Sequence, residues 1–235
     1  MKKIEIDTSK ASVIGWDGDK DGVIAYMEGG YYIRDSKNVT VDFLISQGVE
    51  HFDWYNSEGY LPCLITEFEK KGCIVKILNF CDKVRVKGED FVAVYSRVSI
   101  ENKTNQDIVL LPEPVGPVIS LNKAEEKIKA GESTNFDYVI AADRFGGEQG
   151  WPEDEEMVGL GGFELHYKRM KVYWDDRLDK IVRLKELPDS RLIEAYKAGF
   201  IYTHIVKDGY HLNVGENGYD EVFDHDAIGI IIGLL

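Results

Sequence analysis

Two stretches of the chain gather side chains that do chemistry. The first is Asp17-x-Asp19-x-Asp21-Gly22 followed by Glu28, which has the alternating carboxylates, turn glycine and distal acid of a calcium loop. Such loops sit between helices, whereas residues 12–16 before it and 23–27 after it read as strands. The stretch therefore reads as a hairpin turn, with bound calcium as the alternative, because Asp and Gly both accept left-handed backbone. The second stretch, 208–226, packs carboxylates, amides, histidines and aromatic rings into one connector. Sugar sites use this mixture: carboxylates and amides exchange hydrogen bonds with vicinal hydroxyls, and rings cover the apolar face of a pyranose. The competing reading is a solvated Gly/Asn turn in which Asp224 or Asp226 caps the last helix and His225 is a surface residue. Adjacent residues at a helix start point in different directions, so Asp224-His225-Asp226 is not expected to hold a metal. No cofactor is expected either. The chain has no G-x-S-x-G elbow, and 159–163 lacks both the Lys-Ser/Thr and the preceding strand of a phosphate cradle.

Composition narrows the partners. The chain has 235 residues, 44% hydrophobic and 30% charged, which suits a folded domain with its own core. Its 28 Lys and Arg against 42 Asp and Glu give a net charge of −14. That balance repels a phosphate backbone and an anionic lipid surface, so neither nucleic acid nor membrane is expected as a partner. The longest apolar run, 227–235, is far short of the roughly 20 residues of a spanning helix. The first residues carry positive charge without an apolar h-region, and a cytoplasmic location is the expectation. Cys63, Cys73 and Cys81 lie in alternating apolar segments without CxxC spacing, which predicts buried small hydrophobes.

The elements that must position these residues change character along the chain. Up to about Ala142 apolar residues recur with period two, as in 40–45, 73–78 and 91–100, and Gly/Asp/Asn clusters punctuate them. These are strands of a sandwich. The proline-rich stretch 111–117 predicts a rigid edge loop, because prolines cannot donate ladder hydrogen bonds. Beyond Ala142 the period lengthens. Phe163, Tyr167, Met170, Trp174, Leu178, Ile181 and Leu184 step by three or four, the face of one long amphipathic helix ended by Pro188. Leu192, Tyr196, Gly199, Tyr202 and Val206 predict the apolar face of a second helix. Trp16, Trp54, Tyr55, Trp151 and Trp174 are rings that either stack on carbohydrate or pack in the core.

Several of these segments resemble a known family. The run 138–147, then Trp151-Pro152, then His166-Tyr167 to Tyr173-Trp174, is similar to the linker of bacterial six-hairpin glycosidase-like proteins. Pro188-Asp189, 195–203, 212–215 and Asn217-Gly218-Tyr219 through 223–229 resemble the first helix and first active-site loop of that family's alpha/alpha toroid. The resemblance implies a mainly β fold: an antiparallel β-supersandwich over 1–145, a linker with a long helix over 146–188, and the first helices of an incomplete (α/α) toroid over 189–235. It implies that Asn217, Tyr219, His225 and Asp226 line a carbohydrate substrate's cleft. Related glucoamylase-like enzymes hold a sugar hydroxyl with an Arg-Asp pair where this chain has His225-Asp226. The two catalytic carboxylates of glycoside hydrolysis are expected on later toroid loops, outside this chain, so that the missing toroid is its intramolecular partner and 227–235 reads as a toroid core helix cut off after its start. The expected role is thus a non-catalytic portion of an intracellular glycoside hydrolase that braces the toroid and lines one wall of the sugar cleft. A stand-alone carbohydrate-binding or scaffold β-sandwich is the alternative.

Overall fold

The computed structural model describes residues 10–19, 21–34, 37–123, 125, 127–208, 211–213 and 223–234. The fold is mainly β, with antiparallel sheets and four helices among the described residues. A four-stranded meander runs β1 (Ala11–Ile14), β2 (Val23–Tyr26), β3 (Tyr31–Ile33) and β4 (Val39–Val41). A six-stranded sheet is ordered β10-β12-β8-β7-β6-β5, from β5 (Asp53–Asn56), β6 (Cys63–Lys70), β7 (Cys73–Val86), β8 (Glu89–Asn102), β10 (Ile119–Ser120) and β12 (Ser133–Asp143). The short strands β9 (Ile108–Val109) and β11 (Lys127–Ile128) pair separately.

Two tight turns fix the register of the large sheet. Lys70 pairs with Cys73 and Val86 with Glu89, leaving the two-residue connections Lys71-Gly72 and Lys87-Gly88. All four turn residues have positive φ, from 51° to 90°. A two-residue hairpin loop with both residues left-handed matches the strands' own twist, and glycine at the second place removes half of its steric cost.

The meander packs on one face of the large sheet. Asn79 Nδ2 donates to the Gly29 carbonyl at 2.9 Å, and Thr66 Oγ1 donates to that of Met27 at 2.9 Å. Gly29, with φ +95°, leaves no room for a side chain, because a Cβ there falls 2.5 Å from Ile77 Cδ1. Helix α2 (Phe163–Leu178) lies on the opposite face, where Phe80 meets the rings of Phe163 and Tyr167 edge-on at 5.1 and 5.7 Å. Strand β7 records both coverings. Residues 73, 75 and 77 are buried toward the meander, 79–82 are buried on both faces, and beyond them 84 and 86 are buried toward the helical side.

The proline-rich loop covers an edge of the meander, as its composition predicts. Val115 N and O exchange hydrogen bonds with Asp42 at 2.7 and 3.1 Å, while Pro112, Pro114 and Pro117 offer no donor. The acidic segment after Pro152 forms α1 (Asp154–Gly159), where negative charge suits a helix N-terminus and Glu156 accepts from Glu153 N at 3.0 Å. Helix α2 buries Phe163, His166, Met170, Trp174 and Leu178, close to the face that its period predicts. It stops at Leu178, short of Ile181 and Leu184. Adjacent β-branched Ile181 and Val182 favour an extended path, and Tyr196 donates to the Val182 carbonyl at 3.1 Å.

Helix α3 (Arg191–Ile205) corrects the second predicted face. Ile201 and Ile205 are buried, while Leu192 and Tyr196 are 54% and 36% exposed. Tyr202 OH accepts from Asn56 at 2.7 Å, so the helix is rotated to offer 198, 201, 202 and 205 to the turn after β5 and to β1. The short hairpin β13 (Lys207–Asp208) and β14 (His211–Leu212) follows, then α4 (Asp224–Leu234). No helix of the described residues is long and apolar enough to cross a membrane. One apolar core runs from the two sheets into α1, α2 and α3 and includes Cys63, Cys73 and Cys81, all free thiols.

Candidate functional site

The Asp17 turn gathers side chains from three other elements. It lies between β1 and β2, as the hairpin reading requires, but its carboxylate faces cations. Arg177 from α2 and His204 from α3 pair with it, the latter at 3.3 Å, and Lys207 from β13 reaches Oδ1 at 3.2 Å. Tyr173 donates its hydroxyl to Oδ2 at 2.9 Å. Burial works to raise the Asp17 pKa, and the hydrogen bonds from His204 and Tyr173 with the charges of Arg177 and Lys207 overcome it, holding the carboxyl far below the ordinary carboxylate range. Asp19, also buried, turns Oδ2 back to Trp16 N at 2.9 Å. Asp17 and Asp19 of the calcium pattern therefore serve the helices and the turn. Among the described residues no group of three His, Cys, Asp or Glu is arranged to hold a metal.

This cluster fixes where the polar connector leaves the fold. Lys207 is bound to Asp17, Asp208 pairs with His211 in the β13–β14 hairpin, and buried Asn213 donates to Asp208 at 3.1 Å. Of the four predicted sugar contacts, Asn217 and Tyr219 lie outside the described residues. His225 is exposed in the first turn of α4, and Asp226 follows it in the same helix. The Ala227 amide donates to the Phe223 carbonyl at 2.8 Å.

A second polar centre was not legible in the sequence. His166 and Asp82 are both shut off from solvent, at 0% and 1% side-chain exposure, with Nδ1 2.7 Å from Oδ2. The other ring nitrogen lies 3.2 Å from the Leu160 carbonyl, so the imidazole has an oxygen at each nitrogen. Its face stacks on Tyr95 at 4.0 Å between centroids and 15° between planes. The signal was a titratable residue on the apolar stripe of α2, between Phe163 and Met170, matched by one carboxylate at a buried position of β7. A third centre joins the large sheet to α2. Arg97 binds Asp137 through Nε and Nη2 at 2.7 and 3.0 Å, pairs with Glu164, and lies 4.1 Å over the Phe163 ring.

At the far edge of the large sheet, strands β5 and β6 and the loop 48–52 border an open groove of about 940 Å³. Lys70 holds that loop by donating to the carbonyls of Ile45 and Gln47 at 2.7 and 2.9 Å. Phe52 and Phe68 meet edge-on within it at 5.5 Å, with His51, Glu50, Asp53 and Glu69 around them. Glu67 receives the Tyr55 hydroxyl at 2.6 Å and Lys76 at 3.1 Å. The Tyr55 hydrogen bond, ahead of the Lys76 contacts, draws its pKa below the usual value despite partial burial. No family model, curated protein or solved structure matches this chain.

Proposed function

We propose that this chain is the non-catalytic supporting portion of a six-hairpin glycosidase-like hydrolase, in which 1–145 corresponds to the β-supersandwich, 146–188 to the linker and 189–235 to the start of the toroid. Its task is to brace the toroid and to present Asn217, Tyr219, His225 and Asp226 along one wall of the sugar cleft. The observation that supports this reading is the Asp17 cluster. One buried carboxylate ties the β1–β2 turn, α2, α3 and β13 together, directly before the polar connector 208–226. A loop that contacts substrate is most effective when rigid elements set its starting point. Hydrolysis of a glycosidic bond needs two carboxylates placed on either side of it, and on this reading later toroid loops supply them.

The test has two arms. The purified chain is expected to leave 4-nitrophenyl α- and β-glycosides intact while a panel of neutral disaccharides shifts the proton resonances of His225 and Tyr219. Turnover by the chain, or resonances unmoved by every disaccharide, overturns the proposal. A second reading, a stand-alone carbohydrate-binding module, is favoured by the edge groove with Phe52, Phe68, His51 and its carboxylates. It predicts that the same disaccharides shift His51 and leave His225 unmoved.

A further inference from the structure

A smaller groove of about 520 Å³ runs beside α2, between that helix, the turn after β1 and strand β7. Its walls are Leu165, Val172, Trp16 and Tyr173, and Asp82 reaches it from the sheet. Leu165 and Val172 are about half exposed, at 51% and 49%, although both are apolar. Asp82 is 1% exposed, and only its Oδ2 is used, by His166 at 2.7 Å and Arg169 at 3.5 Å. Its Oδ1 has no hydrogen-bond partner among the described residues. A buried carboxylate oxygen without a donor is costly, and a hydroxyl brought by a ligand removes that cost.

We propose that this groove binds one hydroxylated six-membered ring, a pyranose or a cyclic polyol of that size, with a ring hydroxyl donating to Asp82 Oδ1. The dimensions agree, because small-ligand pockets run from roughly 300 to 1,000 Å³. The walls agree as well: Tyr173 is partly exposed and packs on the buried Trp16 at 4.2 Å between centroids, so that its ring, backed by the indole, can meet the apolar face of a ligand ring. Lys168 and Arg169 offset Asp82 and Asp176 around the groove, so its charge favours a neutral ligand. Arg169 is half exposed and reaches across to the Lys83 carbonyl at 3.0 Å, and it is the side chain that moves aside when the hydroxyl enters. Tyr173 in the groove wall also binds Asp17 through its hydroxyl, the same carboxylate that holds Lys207. The proposal rests on the carbohydrate reading of the chain and adds a second sugar contact at the base of the connector.

The test titrates methyl α-D-glucopyranoside, methyl α-D-galactopyranoside and myo-inositol into the whole chain and follows the four indole N–H resonances, with Trp16 assigned through Trp16→Phe. At least one probe is expected to shift the Trp16 signal saturably. Asp82→Asn is expected to weaken that binding about tenfold, the size of one lost hydrogen bond to a charged group. Val172→Trp fills the groove from its exposed wall, leaves the His166–Asp82 pair in place, and is expected to abolish the shift, which keeps the test decisive if Asp82→Asn does not fold. A Trp16 signal unmoved by all three probes, or Val172→Trp binding like the parent, overturns the proposal. His225 reports on the connector separately, so failure at Trp16 and failure of the supporting role are told apart.

Discussion

His166 on α2 and Asp82 on β7 meet at 2.7 Å with neither side chain open to water, and this contact couples the long helix to the large sheet. A buried carboxylate keeps its charge only where donors face it, so the imidazole is part of the reason that α2 lies where it does. His166→Leu removes the donor while keeping most of the volume. It is expected to cost about 3–5 kcal/mol in urea unfolding, the typical loss when one partner of a buried pair is removed. A loss below about 1 kcal/mol would show that water or Arg169 replaces the imidazole.

Asp17 makes stability depend on pH at the acid end. Its pKa in the fold lies below its ordinary 3.8, so its contribution is fully present above that value and is lost as pH falls through the folded-state value. Asp17→Asn is therefore expected to lower stability by about 2–4 kcal/mol at pH 7, because Arg177 and Lys207 lose their common carboxylate and His204 its hydrogen-bond partner. The gap between the parent and the variant should narrow progressively below pH ~4. Thermal unfolding of both proteins from pH 7 to pH 2 checks it. A gap constant with pH contradicts the assignment.

Glycines separate two kinds of left-handed position. Gly29 has φ +95° and a Cβ there meets Ile77 at 2.5 Å, whereas Gly48 has φ +77° and open space around it. Gly48→Ala is expected to cost about 1 kcal/mol, the backbone strain alone. Gly29→Ala is expected to cost clearly more, roughly 2–4 kcal/mol, since the meander must lift from β7. Equal losses in chemical denaturation would mean that the turn gives way easily.

Arg97 tests whether the fork geometry matters. Arg97→Lys keeps the charge but forfeits the bidentate contact with Asp137 and the stacking over Phe163. A loss of about 1–3 kcal/mol is expected, reported as a lower midpoint in urea without a change in slope. A midpoint unchanged from the parent would reduce Arg97 to a point charge.

Trp174 is fully buried between the turn after β1 and the core, and its ring lies 6.0 Å from Trp16. Trp174→Ala is expected to cost about 3–5 kcal/mol and to release the signal of Trp16 toward that of an exposed indole. Fluorescence emission of the variant, compared with that of the parent, reads the second effect.

What the sequence determined by itself was local. Period two in 73–78 and 91–100 and period 3.6 from Phe163 to Leu178 marked strands and a helix, because a half-buried element must place its apolar residues on one side, whereas in 40–45 the strand ends at Val41 and Leu44 turns left-handed at φ 54°. The Asp17 stretch was legible as a turn for the same kind of reason, since its conformational demands are met within a few residues. The orientation of α3 was not legible: Ile201 and Ile205 are as apolar as Leu192 and Tyr196, and only docking against β1 and the turn after β5 chooses between the two faces. Tertiary structure alone also decided what the polar groups do. Asp17 and Arg177 stand 160 residues apart in the chain, and Asp82 and His166 stand 84 apart. A carboxylate in a turn looks the same in sequence whether it faces calcium, water or the side chains of Arg177, His204 and Lys207. The difference lies in which helices the core presses against it.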